Sequence, residues 1–425
     1  MEPRKASVAL LYNGKNATAQ VSPYLASFTY TDVSSGSSDT ISVELNDRDR
    51  KWIGPWLPQT GDRLKPTIRT QNWDVDNIKT SFLCGAFCVD DFSFKGNPIR
   101  MSLDGVAIPD TSSFKSTKRT QTYEKTNLKE IGQKVAERAG IALFYEAKEM
   151  TIEKVEQNDQ DDCSFYNSLV TKYGFAMKIF NGKIVVFDEA TYEQKPTIAT
   201  LTEEDFDPNW SWNTSLAGTY TGVKYEYTNS KKNKTFTVEA GDGDRILTCN
   251  EAAENLTEAT AIALAALNSA NKSTTTLNIT LRGRWYIFAT ACVLIVGLGQ
   301  LSGKYYVEKA IHTLGDSGYK TALKLRKVEE RITEVKTQSS TVAERSKSKK
   351  SSSSKKSSSS SGTPAKGDTY TLKTTKKGYY TAAEAAAGQV KPGNPSGVRR
   401  PGTYYVFNTS QGMLNLTTAK SVPGS

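Results

Sequence analysis

The chain has 425 residues, 55 lysines and arginines against 45 acids, and a formal net charge of +10 with one histidine. That length calls for about two to four domains. A composition of 37% hydrophobic and 10% aromatic residues excludes wholesale disorder. Five cysteines (Cys84, Cys88, Cys163, Cys249 and Cys292), odd in number and scattered, exclude a secreted disulfide framework and a paired-ligand zinc site.

No apolar signal core follows Met1, so no signal peptide is expected. Apolar and polar residues then alternate over Ser7–Tyr12, Leu25–Thr31 and Thr40–Leu45, with the turn-prone run Asn13-Gly14-Lys15-Asn16 after the first. Arg63–Thr70, Ser81–Phe94 and Ile99–Ala107 continue the pattern between turns at Gly61-Asp62 and Gly96-Asn97-Pro98. About six strands so spaced predict a barrel or sandwich. Cys84 and Cys88 lie within this block, roughly 13 Å apart if extended, which is too far for a disulfide. Free buried thiols are expected, as suits assembly in a reducing cytoplasm.

The period then changes. Leu128, Ile131, Val135 and Ala139 recur at helical spacing, with Thr126 or Asn127 as N-cap and Gly140 as stop. A second helix fits Asp161–Tyr173. A hairpin follows, Phe175–Phe180 and Ile184–Phe187 about Asn181-Gly182. The segment reads as an α+β insert.

The second strand-rich block opens with Thr219–Tyr227 and Thr235–Ala240. An Ala-rich helix over Ala252–Ser269 comes next, capped by Asn250, and then strands at Leu277–Leu281, Ala291–Val296, Gly303–Thr313 and Tyr319–Leu325. Trp285–Leu301 is the one tempting membrane run. It is short and broken by Gly297, Gly299 and Gln300, so buried strands are expected and no membrane span. From Arg345 to Lys366 there are seven basic residues and no acid in a Lys/Ser tract. It reads as a solvated linker rather than a nucleic-acid grip, so nucleic acid is not an expected partner. A grip would bind DNA in a strongly salt-dependent way and lose it with the tract.

Chemistry is thin. Every imidazole scheme would have to rest on His312, which sits in a strand-like run and reads as structural. There is no nucleophile elbow, zinc-protease helix or P-loop, so no cofactor and no metal site are expected. Acids cluster at Asp90-Asp91, Asp159–Asp162 and Glu203–Asp205. Paired carboxylates could serve a peptidoglycan hydrolase, but Asp159–Asp162 is better read as a helix N-terminus. Trp52/Trp56, Trp210/Trp212 and Trp285/Tyr286 fit core or interface anchors better than sugar platforms, and the first two pairs are the interface candidates.

The run Asp39–Arg50 with Trp52 and Pro58-Gln59-Thr60-Gly61-Asp62 resembles the opening of the phage late control gene D proteins, hubs of contractile-tail baseplates. Gly85–Phe92 with Gly96–Met101 is a second matching block. Gly297-Leu298-Gly299, Gly303–Val307, His312 and Gly318–Leu325 make a third, in the same order over about the first 330 residues. The resemblance implies a mainly β (α+β) fold of two tail-tube-like β-barrel domains with an α+β insert. It also implies a homotrimer joining a sixfold tail tube to a threefold central spike, in a phage or tailocin baseplate built in the host bacterial cytoplasm. Tail tube protein, spike protein and other baseplate proteins are then partners, with a tape measure protein as a further candidate. Within the family His312 and the glycines are fold markers.

After the linker, Gly378–Ala385, Pro401–Phe407 and Gly412–Thr417 are similar to the small SH3-like terminal modules of Gram-positive phage amidases, with a LysM module as runner-up on Gly367-Asp368-Thr369. This likeness implies a peptidoglycan contact, with Tyr379, Tyr380, Tyr404 and Tyr405 as candidate wall-binding residues. The expected organisation is a first β-barrel domain at 1–110, the insert at 111–200, a second barrel at 201–335, the linker at 336–368 and the SH3-like module at 369–425.

Overall fold

The computed structural model describes residues 3–107 and 114–341. Of the C-terminal part it describes 369–372, 374, 376–377, 398–399, 402–410 and 413–417. The chain divides into two compact units, Met1–Val342 and Ala343–Ser425.

In the first unit the opening strands are β1 (Lys5–Tyr12), the short β2 (Lys15–Asn16), β3 (Leu25–Val33), β4 (Thr40–Asn46), β5 (Arg63–Gln71), β6 (Lys79–Leu83), β7 (Phe87–Lys95) and β8 (Arg100–Val106). The one-turn helix α1 (Thr18–Val21) interrupts them. Alternation decides the faces: Leu64, Pro66, Ile68 and Thr70 of β5 are buried while Arg63, Lys65 and Arg69 are exposed. Register brings the inward residues together, Val8 opposite Ile68 and Val43 opposite Leu103. They close one core around Phe28, Tyr30, Leu64, Ile68 and Met101. The expected single run Ser81–Phe94 is broken at Cys84-Gly85. Gly85 adopts φ +118°, a conformation glycine allows at no steric cost, and the strand restarts as β7.

The insert begins with a polar ribbon, β9 (Lys118–Asn127) against β11 (Thr151–Asp161), around α2 (Leu128–Ala139) and β10 (Ala142–Glu146). Helix α3 (Asp162–Lys172) follows, then β12 (Ala176–Phe180), β13 (Lys183–Phe187) and α4 (Glu189–Gln194). The caps are local. Asn127 Oδ1 accepts from Glu130 N at 2.8 Å, Asp161 Oδ1 accepts from Ser164 N at 2.8 Å, and Gly140 ends α2 in the left-handed region.

The rest of the unit holds β14 (Thr197–Leu201), β15 (Ser211–Thr214), β16 (Gly222–Asn229), β17 (Lys234–Gly241), β18 (Ile246–Cys249), α5 (Leu256–Asn271), β19 (Thr275–Arg282), β20 (Cys292–Ile295), β21 (Gly303–Gly315), β22 (Gly318–Lys327) and β23 (Val335–Thr341). These elements split between two sheets. Strands β16, β17, β18 and β23 form a separate four-stranded sheet. Val223, Tyr225, Phe236 and Val238 from it pack with Ile262 and Leu267 of α5 and with the α2–α3 residues of the insert in one core. The segment expected as a second barrel therefore lends a hairpin and its long helix to the insert. The physical reason is that α5 carries an apolar stripe that neither sheet edge alone could cover. Strand β23 runs past the expected linker boundary because it pairs with β17 from Lys234↔Thr341 to Ala240↔Val335. Beyond it, residues 342–368 lie outside the described residues.

The remaining strands join the first block. Strand β21 pairs antiparallel with β3, Lys309↔Val33 to Leu314↔Phe28, so both blocks belong to one sheet ordered β15-β19-β22-β21-β3-β4-β8-β7-β5-β1-β2. Among the described residues this path does not close on itself. The two expected barrels are two curled halves of one open sheet, each with its own core, the second around Leu277, Val293, Tyr305 and Leu325. Of the run Trp285–Leu301 only Cys292–Ile295 is strand. It is buried between β14 and β21, and no described helix is long and apolar enough to cross a membrane.

In the second unit β24 (Thr369–Leu372), β27 (Gly402–Ser410) and β28 (Met413–Thr417) form a three-stranded sheet, and β25 (Lys376–Lys377) pairs with β26 (Val398–Arg399).

Candidate functional site

The residues that organise this molecule lie along the seams between blocks. Lys178, at the centre of the apolar strand β12, is buried with its ammonium 2.7 Å from Asp32 Oδ1 and 3.4 Å from Asp39 Oδ2. Asp32 Oδ2 also accepts from Ala289 N at 2.8 Å, and Asp39 Oδ1 accepts from Val33 N at 3.0 Å. One buried triad thus ties β3, the insert and the loop before β20. Two carboxylates face one ammonium, so charge does not balance. Burial, and then repulsion from Asp32, push Asp39 up to about 7 against the pull of Lys178. Burial works against charge on Lys178, yet the two aspartates hold its pKa above the ordinary lysine value.

A second network ties α4 to the second block. Arg331 binds Glu193 with two parallel hydrogen bonds of 2.8 and 2.7 Å. Buried Arg326 reaches Glu193, Glu189 and Glu308 and lies over the Tyr306 ring, while Lys272 of α5 holds Glu189 at 3.1 Å. Burial would raise Glu193, but Arg331 and Arg326 outweigh it and keep the carboxyl below its usual range.

His312 is buried, stacked on Tyr30 at 5.9 Å between ring centroids, with Nδ1 2.8 Å from Tyr319 Oη. Burial depresses it to about 4, so it is a neutral core group. Asp90 and Asp91 are exposed on a bulge of β7. Asp159–Asp162 is the helix N-terminus expected, with Asp161 as the cap of α3 and Asp162 in its first turn, where it is also a buried ion-pair partner of Arg138. Burial raises its carboxyl, and hydrogen bonds from Arg138 and Gln157 bring it below the ordinary value. Asp205 caps its own turn through Thr202 and pairs with Arg284 at 3.0 Å. None of the three acid clusters lines a groove of about 460 Å³ between α5, α4 and the end of α3. Of its charged lining residues, Glu189, Lys272 and Arg331 already bind one another or Glu193, and Asp188 caps α4 by accepting from Ala190 N. Among the described residues no cluster of three or more His, Cys, Asp or Glu could hold a metal ion.

The tryptophans part company. Trp52 is buried in the first core, and its backbone N–H is held by Asp47 Oδ1 at 3.1 Å. Its indole N–H finds no partner among the described residues. Trp56 meets Trp52 edge-on at 5.5 Å and is more than a third exposed, beside exposed Ile53 and Leu57. Lys51 covers its ring and that of Tyr24. Trp210 and Trp212 are half-buried against the second core, on and beside the edge strand β15. The two pairs thus belong to different halves. In the second unit Tyr404 and Tyr405 are half-buried neighbours on β27, and consecutive strand residues point to opposite faces. Tyr404 shares its face with Tyr370, its register partner. Tyr379 and Tyr380 lie outside the described residues.

Comparison with known proteins gives the same direction as this architecture. The chain is 24% identical over 231 residues to the "Probable baseplate hub protein" of Escherichia phage 186, and 25% identical over 237 residues to that of Escherichia phage P2. Over that stretch the chain is similar to phage baseplate hub proteins. Each match takes in 53% of the chain and 57% of the relative, so the chain spans little more than half the length of these hub relatives. No family model matches. The fold is similar to that of solved phage tail proteins. The 43 kDa tail protein of prophage MuSo2 from Shewanella oneidensis aligns with TM-score 0.59 at 12% identity, over 76% of this chain and 98% of that one. The tail protein from Neisseria meningitidis MC58 aligns with 0.57 at 13%, over 76% and 96%.

The Asp32–Lys178–Asp39 triad escaped sequence reasoning. The available signal was a lone lysine inside Phe175-Ala176-Met177-Lys178-Ile179-Phe180, where a strand buried on both faces has no place for an unpaired charge.

Proposed function

We propose that the chain is the structural hub of a contractile-tail baseplate, in a phage or a tailocin particle. Three copies adapt a sixfold tail tube to a threefold central spike. The observation that carries this reading is the β3–β21 seam: two strand halves with separate cores share one sheet, so one chain offers two strand-built surfaces and three chains offer six. The hub names of the two phage relatives and the tail-protein fold support it. The tail tube, the spike, other baseplate proteins and a tape measure protein are the partners this role requires. Trp56 with Ile53 and Leu57, and Trp210 with Trp212 at the sheet's end, are the apolar groups we assign to contacts between subunits or with these partners.

The role is non-enzymatic. Asp90 and Asp91 stand exposed on a bulge, while buried Asp32, Asp39, Asp162 and Glu193 are engaged with cations and buried Asp47 accepts from the backbone N–H groups of Trp52 and Ile53. We assign the second unit to a peptidoglycan contact on an SH3-like scaffold, with Tyr404 and Tyr370 on one face and Tyr405 on the other. The deciding experiment is the solution mass of the full chain by sedimentation velocity, with gold labelling of assembled particles. A trimer, with label at the tail tip where the tube ends, is expected. A monomer at high concentration and low salt, or label elsewhere on the particle, overturns the reading. Purified protein is expected to leave cell walls intact, and lysis abolished by Asp90→Asn or Asp91→Asn would sink the non-enzymatic assignment.

A further inference from the structure

The Lys178 seam holds more than a salt bridge needs. A structural ion pair takes one carboxylate, and a second acid buried beside it adds a like charge that costs stability. Here Lys178 Nζ lies 2.7 Å from Asp32 Oδ1 and 3.4 Å from Asp39 Oδ2, and each of the three side chains is at least nine-tenths buried. Backbone donors fix both acids. Ala289 N–H holds Asp32 Oδ2 at 2.8 Å, and Val33 N–H holds Asp39 Oδ1 at 3.0 Å. Gly36 N–H donates to Met177 O at 3.3 Å, which pins the loop before Asp39 to β12 beside Lys178. Tyr30, which donates to Asp39, and Phe180, whose ring centroid is 5.2 Å from Nζ, pack around the group. A nitrogen 2.7 Å from one carboxyl oxygen has the carboxyl carbon within roughly 3.5 Å, a near-attack distance.

We propose that Lys178 and Asp32 condense into an intramolecular isopeptide bond, with Asp39 as the proton carrier. The ammonium itself is no nucleophile. Moving one proton from Nζ to Asp32 Oδ1 gives a neutral amine and a neutral carboxylic acid, leaves the net charge of the site unchanged, and is favoured by burial. The Nζ lone pair then attacks Asp32 Cγ, and negative charge gathers on Oδ2, where Ala289 N–H already points. Protonated Asp39 gives its proton to Oδ1, the departing hydroxyl, and takes one from Nζ. The Nζ–Cγ bond forms, Cγ–Oδ1 breaks, one water leaves, and Asp39 ends as it began. Burial pushes Asp39 up to about 7, so it holds the proton this step needs below neutrality. The bond joins residues 146 positions apart. It ties the insert covalently to β3, the strand that pairs with both β4 and β21. The inference does not depend on the hub reading.

The test is the mass of the full chain, measured intact in denaturant and again after tryptic digestion. The unaltered chain is expected to be lighter than its sequence by one water. Trypsin is expected to leave Lys178 uncut and to release peptide 16–48 joined to peptide 173–183, with fragment ions placing the bond on Asp32. K178R and D32A are expected at the full mass of their sequences. D32N is expected to lose ammonia in place of water, because an amide nitrogen then departs, and D39N is expected to stay unlinked. An unaltered chain at full mass and cut after Lys178 overturns the inference without requiring any variant to fold, and it leaves the hub reading standing. Loss of water by K178R, or a bond placed on Asp39, also overturns it. D39N linking as completely as the unaltered chain overturns the role given to Asp39.

Discussion

At the scale of residues, Asp39 and His312 shift in opposite senses because burial disfavours the charged form of each, an anion in one and a cation in the other. Tyr30, which stacks on the imidazole and donates to Asp39 Oδ2 at 3.3 Å, places them in one neighbourhood. Asp39 is raised from 3.8 to about 7. Between those values the folded chain keeps a proton the unfolded chain has lost, so its contribution is complete below 3.8 and is lost as pH rises through 7. His312 is lowered from 6.5 to about 4. There the unfolded chain holds the extra proton, so its contribution is complete above 6.5 and is lost as pH falls through 4, up to about 3 kcal/mol. The two slopes oppose each other from pH 4 to 6.5. Asp39→Asn is expected to leave a stability that rises with pH across this window, and His312→Gln one that falls. Urea midpoints at pH 4.5, 6 and 7.5 measure both, and parallel curves would refute the assignment.

Gly132 supplies a second residue-scale test. A Cβ there would overlap the Tyr166 hydroxyl, which donates to Leu128 O at 3.1 Å. Alanine is the better helix former by about 1 kcal/mol, yet Gly132→Ala is expected to destabilise by about 2 kcal/mol through overpacking. A thermal midpoint at or above that of the unaltered chain would show that α2 and α3 separate without cost.

At the scale of elements, α4 is a six-residue helix held by charge more than by propensity. Glu193→Gln leaves Arg326 and Arg331 short of a counter-charge, and removing one partner of a buried pair costs about 3 kcal/mol or more. Hydrogen exchange is expected to speed up over Glu189–Gln194 and β22 while β1 and β5 keep their protection. Uniform acceleration across both halves would mean that the network is global. Helices α2 and α3 were legible in the sequence because their caps and stops are local: Asn127, Gly140 and Asp161 act within three or four residues. Helix α5 was legible only in part, expected from Ala252 with Asn250 as cap and found from Leu256 with Asn255. The true start is chosen by Glu258, whose N–H bonds Asn255 Oδ1 and whose carboxylate accepts from Lys172 and Tyr173 of the insert. The β9–β11 ribbon went unseen because polar residues occupy most positions on both faces, leaving no period to detect.

At the scale of the whole molecule, the two units make a separable claim. A chain ending at Val342 is expected to assemble as the full chain does, while losing retention on purified cell walls. Loss of assembly on removing 343–425, or wall retention without it, would contradict the division of labour. The sequence by itself determined that the chain is β-rich, that an α+β segment interrupts two strand-rich blocks, that a basic tract precedes a small terminal module, and that His312 is structural. Those properties follow from alternation, helical spacing and composition, which act over a few residues. Only the tertiary structure decided that β3 and β21 join the blocks into one sheet, that β16–β18 and α5 serve the insert's core, and that Lys178 lies between Asp32 and Asp39. Each of these pairs residues tens to hundreds of positions apart, and strand pairing depends on which edge remains uncovered once every apolar face has been buried.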